Sequence, residues 1–312
     1  MKIIYENDKK IRLDKFLSSN SSLTRNKVAQ YINLGQVKVN GIVVNKAANI
    51  IKYKDEIVIN ESKFQNRNFS LPTENKLKIK YEDDDLLVIS KDHGIVVHPS
   101  QNTNSATLVD ILLNLYPTLK EVGEPSRPGI VHRIDKETSG LLVVAKNNNI
   151  LISLKDQFKK REVLKEYLAI VDGNTKEKGI INAPMGRHPK DRKKRALIST
   201  GKEAITRYEK IINENGLSLL KVEIQTGRTH QIRVHLNSIG HPIYGDKVYS
   251  KKYKSVSSRM LLHSYRLKFK HPIKNKFIDI KDDIPKEFTM EFNNIEKVLC
   301  CLLYTSPSPR DR

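Results

Sequence analysis

The sequence predicts an α+β protein of two domains, a small one over residues 1–60 and a larger one over residues 77–292. Residues 61–76 contain Ser, Asn, Pro and charged residues with little apolar periodicity, which indicates a linker. Helical spacings and strand-like apolar runs occur on both sides of this segment. The chain of 312 residues is long enough for two domains, with a sizeable core in the larger one.

The small domain is predicted to combine two helices with a hairpin. Apolar residues at helical spacing over residues 12–17 indicate the first helix, and the second runs from Thr24 as its cap to Gly35 as its stop. Strand-like runs flank Asn40-Gly41, which is the strongest short-range signal for a tight two-residue turn. Residues 50–59 supply a further strand-like stretch.

The larger domain also mixes helices and strands. An acidic turn into a buried strand is predicted over residues 81–89, and a helix over residues 108–115 with its cap near Ser105. Residues 141–145 form an unbroken apolar run typical of a buried strand. Beyond it, the patterns predict a helix at residues 151–158, strands at residues 164–171 and 217–225, and a helix from residue 231 to residue 239 that stops before Gly240.

The charge balance favours a polyanionic partner. The chain has 56 Lys plus Arg against 35 Asp plus Glu, a formal excess of 21 positive charges. Such an excess favours phosphate contacts and counterion release, so nucleic acid is the first candidate. A lysine-rich surface that reflects biased composition alone is the alternative.

A membrane partner is not expected from the sequence. No apolar run approaches the roughly 20 residues that span a bilayer, and the first ten residues are too polar for a signal peptide. We therefore expect a cytoplasmic protein.

The two cysteines lie in a tail that we exclude from fold reasoning. Cys300 and Cys301 are adjacent in the tail at residues 300–312, and residues 301–311 resemble the translation of a transposase adapter used in preparing sequencing libraries. An ordinary Ser/Pro-rich C-terminus is the alternative. Without the tail at most one cysteine remains, so neither a structural disulfide nor a zinc-thiolate site is expected.

The most informative stretch is residues 132–146, which read HRIDKETSGLLVVAK. Its polar half ends at Gly140, and the apolar half is the strand-like run. Asp135 is therefore predicted in a loop that adjoins a rigid element, where a carboxylate is well placed for chemistry. The plainer interpretation is that Asp135 closes the turn before the strand.

A second polar cluster occurs in residues 225–235, which read QTGRTHQIRVH. The predicted helix start brings Arg228, His230, Gln231 and Arg233 together. A helix N-terminus with two guanidinium groups is suited to bind an anion. No metal site is expected, because His230 and His235 lack the i, i+4 spacing with an intervening Glu of a zinc helix.

Three ordered motifs resemble those of the RluA-type pseudouridine synthases. They are HRID with TSGLL at residues 132–142, Lys-Glu-Tyr-x-Ala-x-Val at residues 165–171, and GRTHQIRVH at residues 227–235. The domain order is most similar to the RluD-type enzymes of the large ribosomal subunit, with an S4-like RNA-binding domain over about residues 10–60. One departure is Asp92, which stands where the family has Pro.

The resemblance implies a fold and a set of site residues. The catalytic domain would have a mixed, largely antiparallel sheet with flanking helices. Asp135 would be catalytic, Tyr167 would stack on the target base and transfer a proton at its C5, and Arg233 would pair with Asp135. Residues expected to contact RNA are Arg133, His132, Thr138, Arg228, His230 and Gln231 in the larger domain, and Arg12, Arg25, Lys27 and Lys38 in the small one.

The implied reaction cleaves a uridine N-glycosidic bond, rotates the base and rejoins it through C5, with the nucleotide flipped out of its stack. Asp135 would either add to C1′ or remove the C2′ proton, and the sequence leaves both routes open. Neither route needs a cofactor. We expect a monomer that acts on large-subunit ribosomal RNA or its assembly intermediate. Another ribosomal site, a transfer RNA, or a non-catalytic ribosome-assembly factor that keeps the fold are the alternatives.

Overall fold

The computed structural model describes residues 1–21, 23–33, 35–59, 77–99, 103, 105–191, 194–253 and 259–292. These residues belong to two compact units, the first containing residues 1–59 and the second the rest. The predicted linker at residues 61–76 and the tail at residues 300–312 lie outside the described residues.

The first unit is a small sheet packed with two helices. The elements are β1 (Lys2–Ile4), β2 (Ile11–Arg12), α1 (Leu13–Ser19), α2 (Arg25–Asn33), β3 (Val37–Val39), β4 (Ile42–Val43), β5 (Ile50–Ile51) and β6 (Glu56–Ile59). Strands β1, β6, β3 and β4 form an antiparallel sheet in that order, and β2 pairs with β5.

The hairpin and both helices predicted in this unit are confirmed. Asn40 and Gly41 have φ of 51° and 81°, the left-handed conformation that a tight two-residue turn requires at both positions. The stretch predicted over residues 50–59 is two short strands instead of one. Lys54 turns the chain between them with φ of 68°, and the Asp55 carboxylate accepts the Lys52 N–H at 2.9 Å. The local hydrogen bond of the Asp55 side chain therefore breaks the strand that the apolar pattern predicts.

The second unit is built on a nine-stranded sheet. The strands of the unit are β7 (Lys78–Glu82), β8 (Leu86–Lys91), β9 (Ser139–Ala145), β10 (Leu164–Asp172), β11 (Lys178–Asn182), β12 (Met185–Arg187), β13 (Arg195–Leu197), β14 (Ile205–Glu214), β15 (Leu217–Ile224), β16 (Leu262–Lys270) and β17 (Phe277–Lys281). Nine of them form the large sheet, in the order β11-β14-β15-β10-β16-β9-β8-β7, with β17 also paired to β16. Its helices are α3 (Leu108–Leu115), α4 (Asn148–Lys160), α5 (Gln231–Ser238) and α6 (Lys286–Thr289), with a 3-10 turn at Pro117–Glu121.

The expected mixed, largely antiparallel sheet with flanking helices is confirmed. All strand pairs of this sheet are antiparallel except β9 with β16. Every residue of β9 is buried, as the apolar run at residues 141–145 predicts. Among the described residues, no helix has both the length and the apolar character that a bilayer-spanning helix needs.

Two local predictions in the second unit are shifted by two residues. Helix α3 is capped by Thr107, two residues beyond Ser105, through a reciprocal capping box with Asp110. The segment predicted as an acidic turn from residue 81 begins instead with the end of strand β7, and the turn is Asp83–Asp85. Strand β7 is an exposed edge with alternating lysines, so the sequence lacks the apolar signal of a strand there.

Gly140 controls how β9 meets β16. Its φ is 108°, and a Cβ at this position would lie 2.3 Å from the Ser264 carbonyl oxygen. Only a residue without a side chain allows the two backbones to approach this closely. Because the loop that carries Asp135 leads directly into β9, this contact also fixes where that loop ends.

We expect Gly140→Ala to destabilise the fold by about 3 kcal/mol or more, since it adds backbone strain and a clash with β16. Gly216→Ala is the matched control, because Gly216 has φ of 72° and open space around its Cβ position. It should cost only about 1–2 kcal/mol. Urea unfolding measures the free energy of unfolding of both variants. Equal losses would show that the close approach to β16 at Gly140 adds nothing to the cost of the backbone strain.

Candidate active site

The loop that carries Asp135 is held by backbone hydrogen bonds. The Thr138 N–H donates to the Asp135 carbonyl oxygen at 3.2 Å, and the Lys136 carbonyl accepts from the Gly94 N–H at 2.8 Å and from Lys91 Nζ at 3.2 Å. Lys91 is fully buried. The Asp135 side chain keeps 17% exposure and lines a cavity, so a fixed loop presents a reachable carboxylate.

Arg233, on helix α5, joins two carboxylates. Its Nη1 donates to Asp135 Oδ2 at 3.2 Å, while its Nε and Nη2 donate to Asp246 Oδ2 and Oδ1 at 2.8 and 2.9 Å. The side chains of Arg233 and Asp246 are 6% and 1% exposed. Burial by itself would lower the pKa of Arg233, but the hydrogen bonds and charges of Asp246 and Asp135 outweigh it, so the pKa is raised.

Asp246 is a site residue that the sequence analysis missed. Besides the two bonds from Arg233, its Oδ1 accepts the N–H groups of Val248 and Tyr249 at 2.9 and 3.1 Å. Burial raises the pKa of Asp246, but the Arg233 hydrogen bonds and charge exceed that effect and lower it. Asp246 therefore fixes Arg233, and Arg233 in turn orients Asp135. The sequence signal for it was the segment HPIYGD at residues 241–246, which also resembles the family but gave no role for Asp246.

Tyr249 supports the same group and was also missed. Its hydroxyl lies 2.8 Å from His230 Nδ1 and accepts the Arg195 N–H at 2.8 Å. The Arg233 guanidinium lies 5.1 Å from the centre of its ring, a cation–π distance. His230 Nε2 is 3.9 Å from Asp135 Oδ2. Tyr249 thus holds both residues that face the Asp135 carboxylate.

The cavity beside Asp135 has a volume of about 380 Å³ and is lined by strand β10 and helix α5 as well as by the loop. This volume is within the range of roughly 300–1,000 Å³ that is usual for small-ligand sites. Tyr167, from β10, lines it and is only 6% exposed. Burial raises the pKa of the Tyr167 hydroxyl well above its ordinary value, so the phenol is neutral.

Comparison with known proteins gives the family. A profile described as RNA pseudouridylate synthase matches residues 85–238, and an S4 domain profile matches residues 11–57. A protein of Aquifex aeolicus (strain VF5) named uncharacterized RNA pseudouridine synthase is 39% identical over 298 residues, which cover 92% of this chain and 94% of that protein. The chain belongs to the RNA pseudouridine synthase family.

Further similarities extend over most of the synthase. A ribosomal large subunit pseudouridine synthase D of Zymomonas mobilis (strain ATCC 31821 / ZM4 / CP4) is 38% identical over 90% of this chain and 92% of that protein. The solved structure of human RNA pseudouridylate synthase domain containing 1 covers 75% of this chain and 97% of its own, with a TM-score of 0.57 and 24% identity. At that identity the structure bears on the fold alone. The synthase is an isomerase with an S4 domain at its N-terminal end.

The structure brings most of the predicted site residues of the synthase to one cavity. Asp135, Tyr167 and Arg233 line it, together with His132, Arg133, Thr138, Arg228, His230 and Gln231. Arg133 is exposed, with Nη1 at 3.3 Å from His98 Nε2. Arg228 is partly exposed and donates its Nε–H to the Glu203 carbonyl oxygen at 2.9 Å.

Gln231 has no hydrogen-bonding capacity left for RNA. Its Oε1 accepts from the Thr226 hydroxyl at 2.8 Å and from the Arg228 N–H at 3.0 Å. Its Nε2 donates to the Ile205 carbonyl and to the Thr206 hydroxyl, both at 3.0 Å. An amide side chain has two hydrogens and two main acceptor positions, and all four are used. Gln231 therefore joins helix α5 to strand β14 and stabilises the loop before it.

His132 packs against the cavity wall. Its ring stacks on Phe158 with centroids 4.5 Å apart, and its Nε2 accepts the Val143 N–H at 3.1 Å. Burial, with a smaller contribution from the Lys165 charge, lowers the pKa of His132 to about 3. The His132 ring is therefore neutral in the folded protein, where it packs on Phe158 and holds the Val143 backbone.

In the S4 domain, two of the predicted RNA-binding residues share a buried carboxylate. Arg12 donates to both oxygens of Asp14 at 3.0 and 2.8 Å, and Arg25 Nε donates to Asp14 Oδ2 at 3.1 Å. Both arginine side chains stay about half exposed. Asp14 thus orients two guanidinium groups at the surface. Lys38 is exposed on β3, and the side chain of Lys27 lies outside the described part of the chain.

One set of potential metal ligands occurs among the described residues, at Asp83, Asp85 and His271. It does not line the Asp135 cavity. Asp83 Oδ2 is already bonded to Lys274 Nζ at 2.6 Å, and His271 Nδ1 accepts the N–H of Ile273 at 3.2 Å. These bonds make the set a structural ion-pair cluster.

We expect His132→Gln to weaken the pH dependence of stability. In the unfolded state the imidazole has a pKa near 6.5, whereas in the folded state its pKa is about 3. Between these two values the unfolded state binds a proton that the folded state does not bind, so the wild type loses stability as the pH falls below 6.5. One such group gives a slope of up to about 1.4 kcal/mol per pH unit. Urea unfolding at pH 7, 6 and 5 should show a shallower decline for the variant. Parallel declines would mean that the pKa of His132 is the same in the folded and the unfolded state.

Proposed function

We propose that the synthase isomerises specific uridines of large-subunit ribosomal RNA. Relatives named for activity on the large ribosomal subunit align with most of the chain. The S4 domain, with its exposed arginines, supplies phosphate contacts for a folded RNA. A ribosomal substrate would place the activity in the cytoplasm.

The observation that carries the catalytic assignment is the Asp135–Arg233 contact of 3.2 Å at the edge of the cavity. Both routes open to Asp135, addition to C1′ and removal of the C2′ proton, require the ionised carboxylate. Arg233 stabilises that negative charge and holds it in one orientation. Asp246 fixes Arg233 from behind, so the carboxylate is oriented before RNA arrives.

In the proposed reaction the C1′–N1 bond breaks, with its electron pair going to N1. The base then rotates, C5 bonds to C1′, C5 loses a proton and N1 gains one. Tyr167 stacks on the base and takes part in the proton transfer at C5. The proton lost from C5 balances the proton gained by N1, so the neutral Tyr167 hydroxyl relays it with no net change in its own protonation state.

The nucleotide must be flipped for this chemistry, since a stacked base hides its glycosidic bond. Arg133 is exposed at the cavity and is suited to fill the space that the base leaves in the RNA. Unstacking costs a few kcal/mol, which phosphate contacts and stacking on Tyr167 offset.

Mapping pseudouridines in RNA from cells with and without the gene tests the substrate. We expect loss of one or a few pseudouridines from large-subunit ribosomal RNA. Loss from transfer RNA alone would make the substrate assignment wrong. No loss from any RNA, together with an inactive purified protein, would favour the non-catalytic ribosome-assembly factor.

We expect Asp135→Asn to abolish detectable pseudouridine formation while reducing RNA affinity less than about tenfold, because the amide keeps size and hydrogen bonding but cannot act as nucleophile or base. The measurement pairs a binding titration with a single-turnover assay. Asp84→Asn, an exposed aspartate in the β7–β8 turn, is the matched control. Turnover by the Asp135 variant would remove the residue from the chemistry.

Tyr167→Phe tests the hydroxyl separately from the ring. Stacking survives in the phenylalanine, so we expect RNA binding to persist and the product-forming step to stall. Single-turnover product formation at saturating enzyme is the measurement. Normal turnover with Phe would limit Tyr167 to packing and stacking.

A further inference from the structure

The cavity contains a lysine that the reaction described above does not use. Lys165 precedes Tyr167 by two residues on strand β10, so both side chains project from the same face of the sheet. Both line the Asp135 cavity. Lys165 is only 6% exposed, which is rare for a lysine.

The ammonium group of Lys165 has no hydrogen bond or ion pair among the described residues. Its Nζ lies 5.6 Å from the centre of the Phe158 ring, a cation–π distance. Burial, with a smaller contribution from the Arg161 charge, lowers the pKa of Lys165 to about 8, and the charge of Glu223 partly opposes both effects. At neutral pH most of the group remains charged.

Another buried lysine shows what a structural role looks like. Lys91 is 1% exposed, and its Nζ donates to the carbonyl oxygens of Asp92 and Lys136 at 2.8 and 3.2 Å. Burial of a charge without a partner is costly, and folded proteins accept that cost mainly where the group serves a ligand. Among the described residues, Lys165 has no hydrogen-bond or ion-pair partner, and it borders a cavity that can hold a base.

We propose that Lys165 stabilises the negative charge that develops on the uracil when its glycosidic bond breaks, an assignment that rests on the proposed function. The electron pair of the C1′–N1 bond goes to N1 and is delocalised onto O2 and O4. This uracil anion forms whether Asp135 adds to C1′ or removes the C2′ proton. The same electrons later form the C5–C1′ bond, so Lys165 acts by charge and needs no proton transfer.

Arg233 is poorly placed for this task. Its guanidinium already donates to the carboxylates of Asp246 and Asp135. Asp135 loses its negative charge as the C1′–N1 bond breaks by either route, but Asp246 continues to offset the charge of Arg233, which leaves little net positive charge for the base. Lys165 is contributed by the strand that carries Tyr167, and no carboxylate forms an ion pair with it among the described residues.

The test compares Lys165→Met and Lys165→Arg in the full-length synthase. With saturating enzyme and uridine RNA, we expect the Met variant to lose about 100-fold in single-turnover rate, and Arg to recover part of that loss. RNA affinity should stay within about threefold, since ground-state binding does not use the developing charge. Lys268→Met, on neighbouring strand β16 with its side chain 40% exposed, is the control for the substitution and should react at the wild-type rate.

A second substrate separates charge stabilisation from packing. Fluorine at C5 withdraws electrons and stabilises the base anion, so RNA with 5-fluorouridine at the target needs less help from a cation. We expect the Lys165→Met defect in consumption of the target nucleoside to shrink at least about tenfold with this RNA. An equal defect on both RNAs, or a Met variant as fast as the wild type, would overturn the role of Lys165. Failure of the wild type on uridine RNA would overturn the proposed function and this inference with it.

Discussion

The guanidinium of Arg233, shared between Asp246 and Asp135, is the interaction on which the site depends. It draws together three parts of the chain, the start of helix α5, the loop before β9 and the segment after Gly245. Burial of the charged side chains of Arg233 and Asp246 is costly, and it is tolerated here because Asp246 also accepts two backbone N–H groups. Loss of any partner would leave a buried charge uncompensated, so the three residues behave as one unit.

The sheet explains how Asp135, Arg233 and Asp246 come to lie beside the strand that carries Tyr167. Tyr167 on β10 lies opposite Ser264 on β16, and Ser264 lies opposite Gly140 on β9. These three residues form one row across adjacent strands. The parallel β9–β16 contact requires the glycine, and the loop that carries Asp135 ends just before it. The close approach at Gly140 therefore sets how far the carboxylate lies from the strand that carries Tyr167 and Lys165.

The sequence predicts what is encoded locally. The run at residues 141–145, the Asn40-Gly41 turn and the helices at residues 13–19 and 25–33 follow from spacing and turn chemistry. The edge strand β7 was missed because its pattern is polar. Asp246 and Tyr249 were missed for another reason, since their roles depend on partners that only the tertiary fold brings close. Three family motifs identified Asp135, Tyr167 and Arg233, but no motif shows that the Gln231 amide is fully used inside the protein.

Arg233 and Lys165, two of the cations that line the cavity, differ in the way their tasks require. An arginine has a rigid fork of donors, which suits the two-point contact with Asp246 and leaves Nη1 for Asp135. A lysine is a compact charge on a flexible stem, and it can follow negative charge that is spread over a base which must rotate. A cation that is already paired with the Asp246 carboxylate has little net charge to offer the base. Separating the tasks between α5 and β10 provides a second cation, and it gives a physical reason for a buried lysine that has no ion pair among the described residues.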